Sequence, residues 1–178
     1  VVRARQQAAV AALGQRALAG IDLELLLQQA GGVLNATLGV RSTAIFEAAD
    51  GESRLRLVAG CGWSRATAGQ AQMLVDAATF PGTALGAPAA VTSNTLSHPM
   101  LTGEGFATGA AAAIPGAPRP YGVLLVADRR SRRFSADDLH FLQAIANVIG
   151  ATRERLTLER ELRASVALQR ATLEAVAE

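Results

Sequence analysis

Few side chains in this sequence could do chemistry, and they are scattered. The lone cysteine, Cys61, stands two residues before the lone tryptophan, Trp63. The two histidines are His98 and His140. A single thiol excludes an intrachain disulfide and a cysteine-built metal centre. Catalysis needs a nucleophile or an acid/base group held by a second residue. Among Cys61, Asp76, His98 and Glu104 no two recur at a spacing that implies contact, and Asp76 and Glu104 fall in segments expected to be exposed. There is no phosphate-binding glycine loop and no Ser-His-Asp set with supporting spacing. Asp137-Asp138 reads as a helix start rather than an acid/base pair. His98, between Ser97 and Pro99, reads as an ordinary loop histidine, with a haem ligand or a hydrogen bond to a bound molecule as the alternatives. His140 reads as an exposed helix position. The expectation is that this stretch of chain has no enzymatic activity of its own, no cofactor and no metal.

All 17 basic residues are arginine, and the net charge is only +2. Arg129, Arg130, Arg132 and Arg133 form the one basic cluster, better explained as a charged loop than as a phosphate grip. With few aromatics to stack on bases, nucleic-acid binding is not expected. Half of the 178 residues are hydrophobic, enough for one cored domain. No apolar run is long enough to span a membrane, and no signal-peptide pattern is present, so membrane contact is not expected. The unpaired cysteine fits a reducing, cytoplasmic setting. The first residue is Val1, not Met, which suggests a piece of a longer protein.

These residues must be positioned by an α+β framework. Residues 1–19 read as a helix broken by Gly20. Asp22 is placed to cap a second helix carrying Leu23, Leu26, Leu27, Ala30, Val33 and Leu34 on one face, ended by Gly39. Ser42–Ala48 and Arg54–Ala59 form a hairpin around Asp50-Gly51. Gln70–Ala78 reads as a short helix, Pro88–Thr92 as a short strand and Ser93–Gly105 as a polar loop. Thr108–Ile114 is strand-like by position, despite four consecutive alanines. Tyr121–Ala127 is a nearly continuous apolar run, as in a strand covered on both faces. Ser135 with Asp138 is a capping-box pair, flanked by a Phe134/Leu139 staple. The helix it opens buries Leu142, Ile145, Ala146, Ile149 and Leu156, then runs on as charged heptads to Glu178.

Several stretches stand in the order found in GAF domains. They are Leu57-Val58-Ala59-Gly60-Cys61-Gly62-Trp63, Gly86-Ala87-Pro88-Ala89-Ala90-Val91, the Phe106–Pro115 strand, Tyr121–Val126 and Phe134–Leu142. Over about Ile21 to Leu156 the chain resembles that family. The resemblance implies a central antiparallel sheet of five or six strands, helices on one face and a ligand cavity on the other. It divides the chain into an N-terminal linker or dimerisation helix (1–19), a GAF domain (20–157) and a C-terminal signalling helix (158–178). The cavity, for an unknown small molecule, would be lined by Trp63, Met73, Phe80, His98, Met100, Phe106, Ala110 and Ala112. Cys61 would sit on its rim. The alanines would make room there, unless they serve close packing of helix on sheet. Bilin-binding relatives place a His after the cysteine, where this chain has Gly62. Methionine-sulfoxide-reducing relatives use several cysteines. Cyclic-nucleotide-binding relatives carry a lysine-containing signature, and this chain has no lysine.

The last helix resembles the linker that precedes PAS domains in bacterial sensors. Leu156, Leu162, Val166, Leu173 and Val176 fit a coiled-coil seam in which Gln169 is polar. The resemblance implies a sensory and dimerisation module, a homodimer through its terminal helices. It would act on a downstream PAS, kinase or cyclase domain of a two-component histidine kinase or a diguanylate cyclase. The regulatory domain of a transcriptional activator is the alternative.

Overall fold

The computed structural model describes residues 2–49, 54–64, 72–76 and 78–177. Helix α1 (Val2–Leu18) ends at Gly20, whose φ of 86° suits glycine. Helix α2 (Leu23–Leu38) starts at Asp22 and closes at Gly39, whose left-handed backbone donates its N–H to Asn35 O. Strands β1 (Ser42–Ala48) and β2 (Arg54–Cys61) pair antiparallel. The turn between them lies outside the described residues. Strand β3 (Gln72–Leu74) follows, then a 3₁₀ turn (Gly82–Gly86), β4 (Val91–Ser93), helix α3 (Pro99–Gly103), β5 (Thr108–Ile114), β6 (Gly122–Asp128) and the 42-residue helix α4 (Ala136–Ala177).

The six strands form one antiparallel sheet in the order β3-β2-β1-β6-β5-β4. Strand β6 lies at its centre, and Gly122 to Ala127 are all buried. Side chains alternate between two cores. On one face α1, α2 and α4 cover Ile45, Ala110, Ala112, Ile114, Leu124 and Val126. On the other, loops and α3 cover Phe46, Leu55, Met73, Ala111, Val123 and Leu125. The α+β architecture with long terminal helices is as expected.

Two local expectations are corrected. The segment read as a helix over Gln70–Ala78 holds β3, with 70, 71 and 77 outside the described residues. Met73 pairs with Leu55 and is fully buried, so joining the sheet edge prevails over local helix propensity. The Ser93–Gly105 segment is not all loop. His98 caps α3 and Pro99 occupies the first turn, where its missing N–H costs nothing.

The start of α4 is built as its residues predict. Ser135 Oγ accepts from Asp138 N–H at 3.2 Å, and Asp138 accepts from Ser135 N–H at 3.0 Å. The same carboxylate accepts from Gln6 Nε2 of α1 at 3.0 Å, and Gln6 is buried. Further on, Arg155 donates to Ala17 O at 2.9 Å. Helices α1 and α4 therefore run side by side in the same direction.

Candidate functional site

The residues proposed to line a cavity divide between the two faces of the sheet. Trp63, Met73, Phe80, Met100 and Phe106 gather on the loop-covered face. Trp63 is fixed there by donation from its indole Nε1 to Thr43 O at 2.8 Å. Its ring meets Phe46 and Phe106 edge-on, with centroids 6.0 and 5.1 Å apart. Phe80 lies directly over Gly109, where an added Cβ would stand 3.0 Å from the ring. Helix α3 brings half-buried Met100 and fully buried Leu101 onto the same cluster.

Ala110 and Ala112 do not join them. Alternation along β5 turns both toward the helices, and Ala111 faces the aromatic cluster instead. The alanines serve close packing. Gln143 of α4 reaches Ala113 O at 3.3 Å, and α4 and the chain after β5 meet at Gly150, where an added Cβ would lie 2.6 Å from Pro115 O.

Cys61 is also displaced from the expected rim. A β-bulge interrupts the β1–β2 register between Ile45 and Phe46, so that Phe46 faces Leu57 while Ile45 faces Ala59. The extra residue, Val58, reverses the alternation. Leu55 and Leu57 pack with the aromatic face, but Ala59 packs with the helix face. Cys61 accordingly meets Asn35 Nδ2 of α2 and lies 3.2 Å from Thr43 Oγ1. Cys61 and Trp63, neighbours in sequence, serve opposite faces.

His98 is an architectural residue. Its Nδ1 accepts from Met100 N–H at 3.2 Å, which places the ring proton on Nε2; Nε2 lies 3.1 Å from Leu74 O and donates to it. Both ring nitrogens are thus engaged, and neither offers a lone pair to haem iron. Glu104, expected to be exposed, has a side chain only 6% exposed. It accepts from Ser64 N–H and Oγ, and Arg129 pairs with it at 3.8 Å while donating to Glu104 O at 2.9 Å. This clamp ties the segment after β2 to α3 and the end of β6. Asp76 and His140 are exposed, as expected.

The four arginines before α4 do not converge. Arg129 turns toward Glu104 and the Phe106 ring, and Arg132 stacks on Phe134 at 4.8 Å and pairs with Asp128 at 3.8 Å. Arg130 and Arg133 are exposed.

Sequence reasoning missed a cleft at the opposite end of the sheet. Its volume is 620 Å³, and Glu47, Pro118, Arg119, Pro120, Tyr121 and Arg153 are among its walls. Arg153, on α4, pairs with Glu47 of β1 at 3.5 Å, and its guanidinium lies 3.9 Å from the Tyr121 ring centroid. Arg56 binds the same Glu47 carboxylate. Burial, and secondarily the charge of Glu47, raise the Tyr121 hydroxyl above its ordinary pKa of 10.0. The signal available beforehand was Pro115-Gly116-Ala117-Pro118-Arg119-Pro120, a rigid turn facing the helix.

Beyond the domain body α4 is bare. Leu156 is half-buried, whereas Leu162, Val166 and Leu173 are 66%, 40% and 72% exposed. Gln169 is exposed, and the side chain of Val176 lies outside the described residues. Leu158 and Leu168 are also exposed. Among the described residues no helix is long and apolar enough to cross a membrane, and no group of three or more His, Cys, Asp or Glu is placed to hold a metal ion.

The six-stranded antiparallel sheet with its packed helices defines an α+β fold, and residues 22–152 match the GAF domain family. The chain belongs to that family. The fold is similar to the GAF domain of a phosphoenolpyruvate-protein phosphotransferase from Coxiella burnetii (TM-score 0.75, 16% identity, covering 89% of this chain and 98% of that one). It is also similar to a GAF domain assigned to a sensor histidine kinase from Pseudomonas syringae pv. tomato (0.70, 16%, 92% and 94%). A third similar structure is free methionine-R-sulfoxide reductase from Neisseria meningitidis in complex with its substrate (0.71, 15%, 85% and 90%). No curated protein matches the sequence.

Proposed function

We propose that this GAF domain is a non-catalytic sensory and dimerisation module. Its terminal helices relay a ligand-induced or conformational change to an output domain of a histidine kinase or diguanylate cyclase. Residues 20–157 form the sensing body, 1–19 the entry helix and 158–178 the signalling helix. The observation that carries this reading is α4 itself. It begins inside the body with a full capping box, buries Leu142, Ile145 and Ile149, and then continues with Leu158, Leu162, Val166 and Leu173 exposed.

A solitary helix of this length is marginal in water, and its aliphatic row needs a cover. A parallel second copy supplies one, with Gln169 as a polar interruption at which two packings of similar energy can interconvert. Because α1 is bonded to α4 at Asp138 and at Arg155, the entry helix moves with it. The small-molecule face is the aromatic one, around Trp63, Phe80, Met100 and Phe106.

Sedimentation equilibrium at high micromolar concentration tests the dimer. The chain is expected to dimerise, and Leu162→Glu to shift it to monomer. A monomeric chain, or a dimer indifferent to Leu162→Glu, refutes the seam.

A further inference from the structure

Among the described residues, the cleft beneath the exit of α4 carries an imbalance of charge. Glu47 is the one carboxylate that the described residues place in its walls, and it is shared by Arg56 and Arg153. Arg119 also lines the cleft, is exposed and has no ion pair among the described residues. Pro118 and Pro120 on either side fix the backbone that presents it. Among the described residues, three guanidinium groups thus answer to one carboxylate. Glu154 and Glu161 border a separate cleft that also touches Tyr121 and Arg153. The 620 Å³ volume falls in the range of small-molecule sites, and Tyr121, Pro118 and Pro120 give it apolar walls beside the charges.

We propose that this cleft binds a small organic anion, its carboxylate or phosphate group held by Arg119 and Arg153 and its apolar part lying on Tyr121 and the flanking prolines. Guanidinium groups suit either oxyanion, because their N–H donors match two oxygens at once. The site lies at the end of the sheet where Arg153 joins α4 to β1, apart from the aromatic face. An anion there competes with Glu47 for Arg153, so that occupancy alters the grip of the sheet on the outgoing helix. Binding itself does not depend on dimerisation or relay, and its failure would leave the helix seam standing.

The test is a nitrogen-15 NMR titration of the whole chain with citrate and, separately, with inorganic phosphate, against sodium chloride at matched ionic strength. Saturable shifts are expected at Glu47, Arg119, Tyr121 and Arg153. Arg119→Gln should weaken the apparent affinity about tenfold, as for loss of one charge-assisted hydrogen-bonding partner, with the melting temperature unchanged. Saturation with citrate alone assigns a carboxylate ligand, with phosphate alone a phosphate ligand, and with both a general oxyanion site. Shifts that track chloride, centre elsewhere, or saturate identically in Arg119→Gln overturn the proposal.

Discussion

Replacing Gly150 by alanine should destabilise the protein, although the same change at Gly14 of α1 should stabilise it. Within a helix, alanine is favoured over glycine by about 0.5–1 kcal/mol, because glycine loses more backbone freedom on folding. At Gly150 that gain meets a wall of backbone. An added Cβ would stand 2.6 Å from Pro115 O, 3.0 Å from Pro115 Cδ and 3.1 Å from Pro115 N. None of these atoms can rotate away, so α4 or the turn after β5 must move. Overpacking of this kind costs about 1–3 kcal/mol. A 2.6 Å approach to a backbone oxygen belongs in the upper part of that range, about 2–3 kcal/mol, so the net loss is about 1–2.5 kcal/mol, or roughly 2–10 °C in Tm for a chain of this size. Gly14, by contrast, has nothing within 4 Å of an added Cβ. Gly14→Ala should raise Tm by roughly 1–4 °C. Circular-dichroism melts of the two variants and the parent, at one fixed protein concentration, give the comparison. A Gly150→Ala protein as stable as the parent, beside a stabilised Gly14→Ala, would refute the claim that α4 is seated by backbone contact with Pro115.

Other outcomes follow from the same geometry. Ser135→Ala removes the hydroxyl that caps Asp138 N–H and should cost about 1 kcal/mol by chemical denaturation. Asp138→Ala should cost more, because it also strips buried Gln6 of its acceptor; equal losses would argue that the α1 link is energetically silent. Tyr121 is the lone tyrosine, so phenolate absorbance reports it directly. Its deprotonation should occur above pH 10.0 in the folded protein and at the ordinary value in denaturant. The folded state then holds the proton that the unfolded state releases, so stability is full below pH 10 and falls as pH rises beyond it. Tyr121→Phe should flatten that decline, and an unchanged alkaline slope would remove Tyr121 as its cause.

Much of the fold was legible because local and global signals agree. The Phe134–Leu139 stretch carries a cap, a reciprocal carboxylate and a staple, and the structure forms the capping box from those residues. The apolar run of β6 reads as doubly covered, and it is. Edge elements were less legible. Strand β3 has only three residues, too few to show a period, and its identity depends on Met73 finding Leu55 across the sheet. His98 looked like a loop residue because a five-residue helix leaves almost no periodic trace; Pro99 was the available hint.

The candidate site was less legible still, because a site depends on which face each residue serves. Simple alternation from Leu55 would send Leu57, Ala59, Cys61 and Trp63 to one face. The extra residue at Val58 moves Ala59 and Cys61 to the helices. Trp63 returns to the opposite side after Gly62, whose φ is 76°. There an added Cβ would lie 2.1 Å from Arg41 O, so only glycine permits the turn that reverses the chain's facing. The separation of thiol from indole thus rests on one inserted residue and one glycine. Neither changes the hydrophobic pattern enough to be read from composition or periodicity. The same two features leave the aromatic face without a thiol and give it the indole, whose Nε1 is already spent on Thr43 O. What that face presents is therefore mainly shape and apolar surface, with the Arg129–Glu104 pair at its margin beside Phe106, and a second charged cluster lies at the other end of the sheet around Arg119 and Arg153.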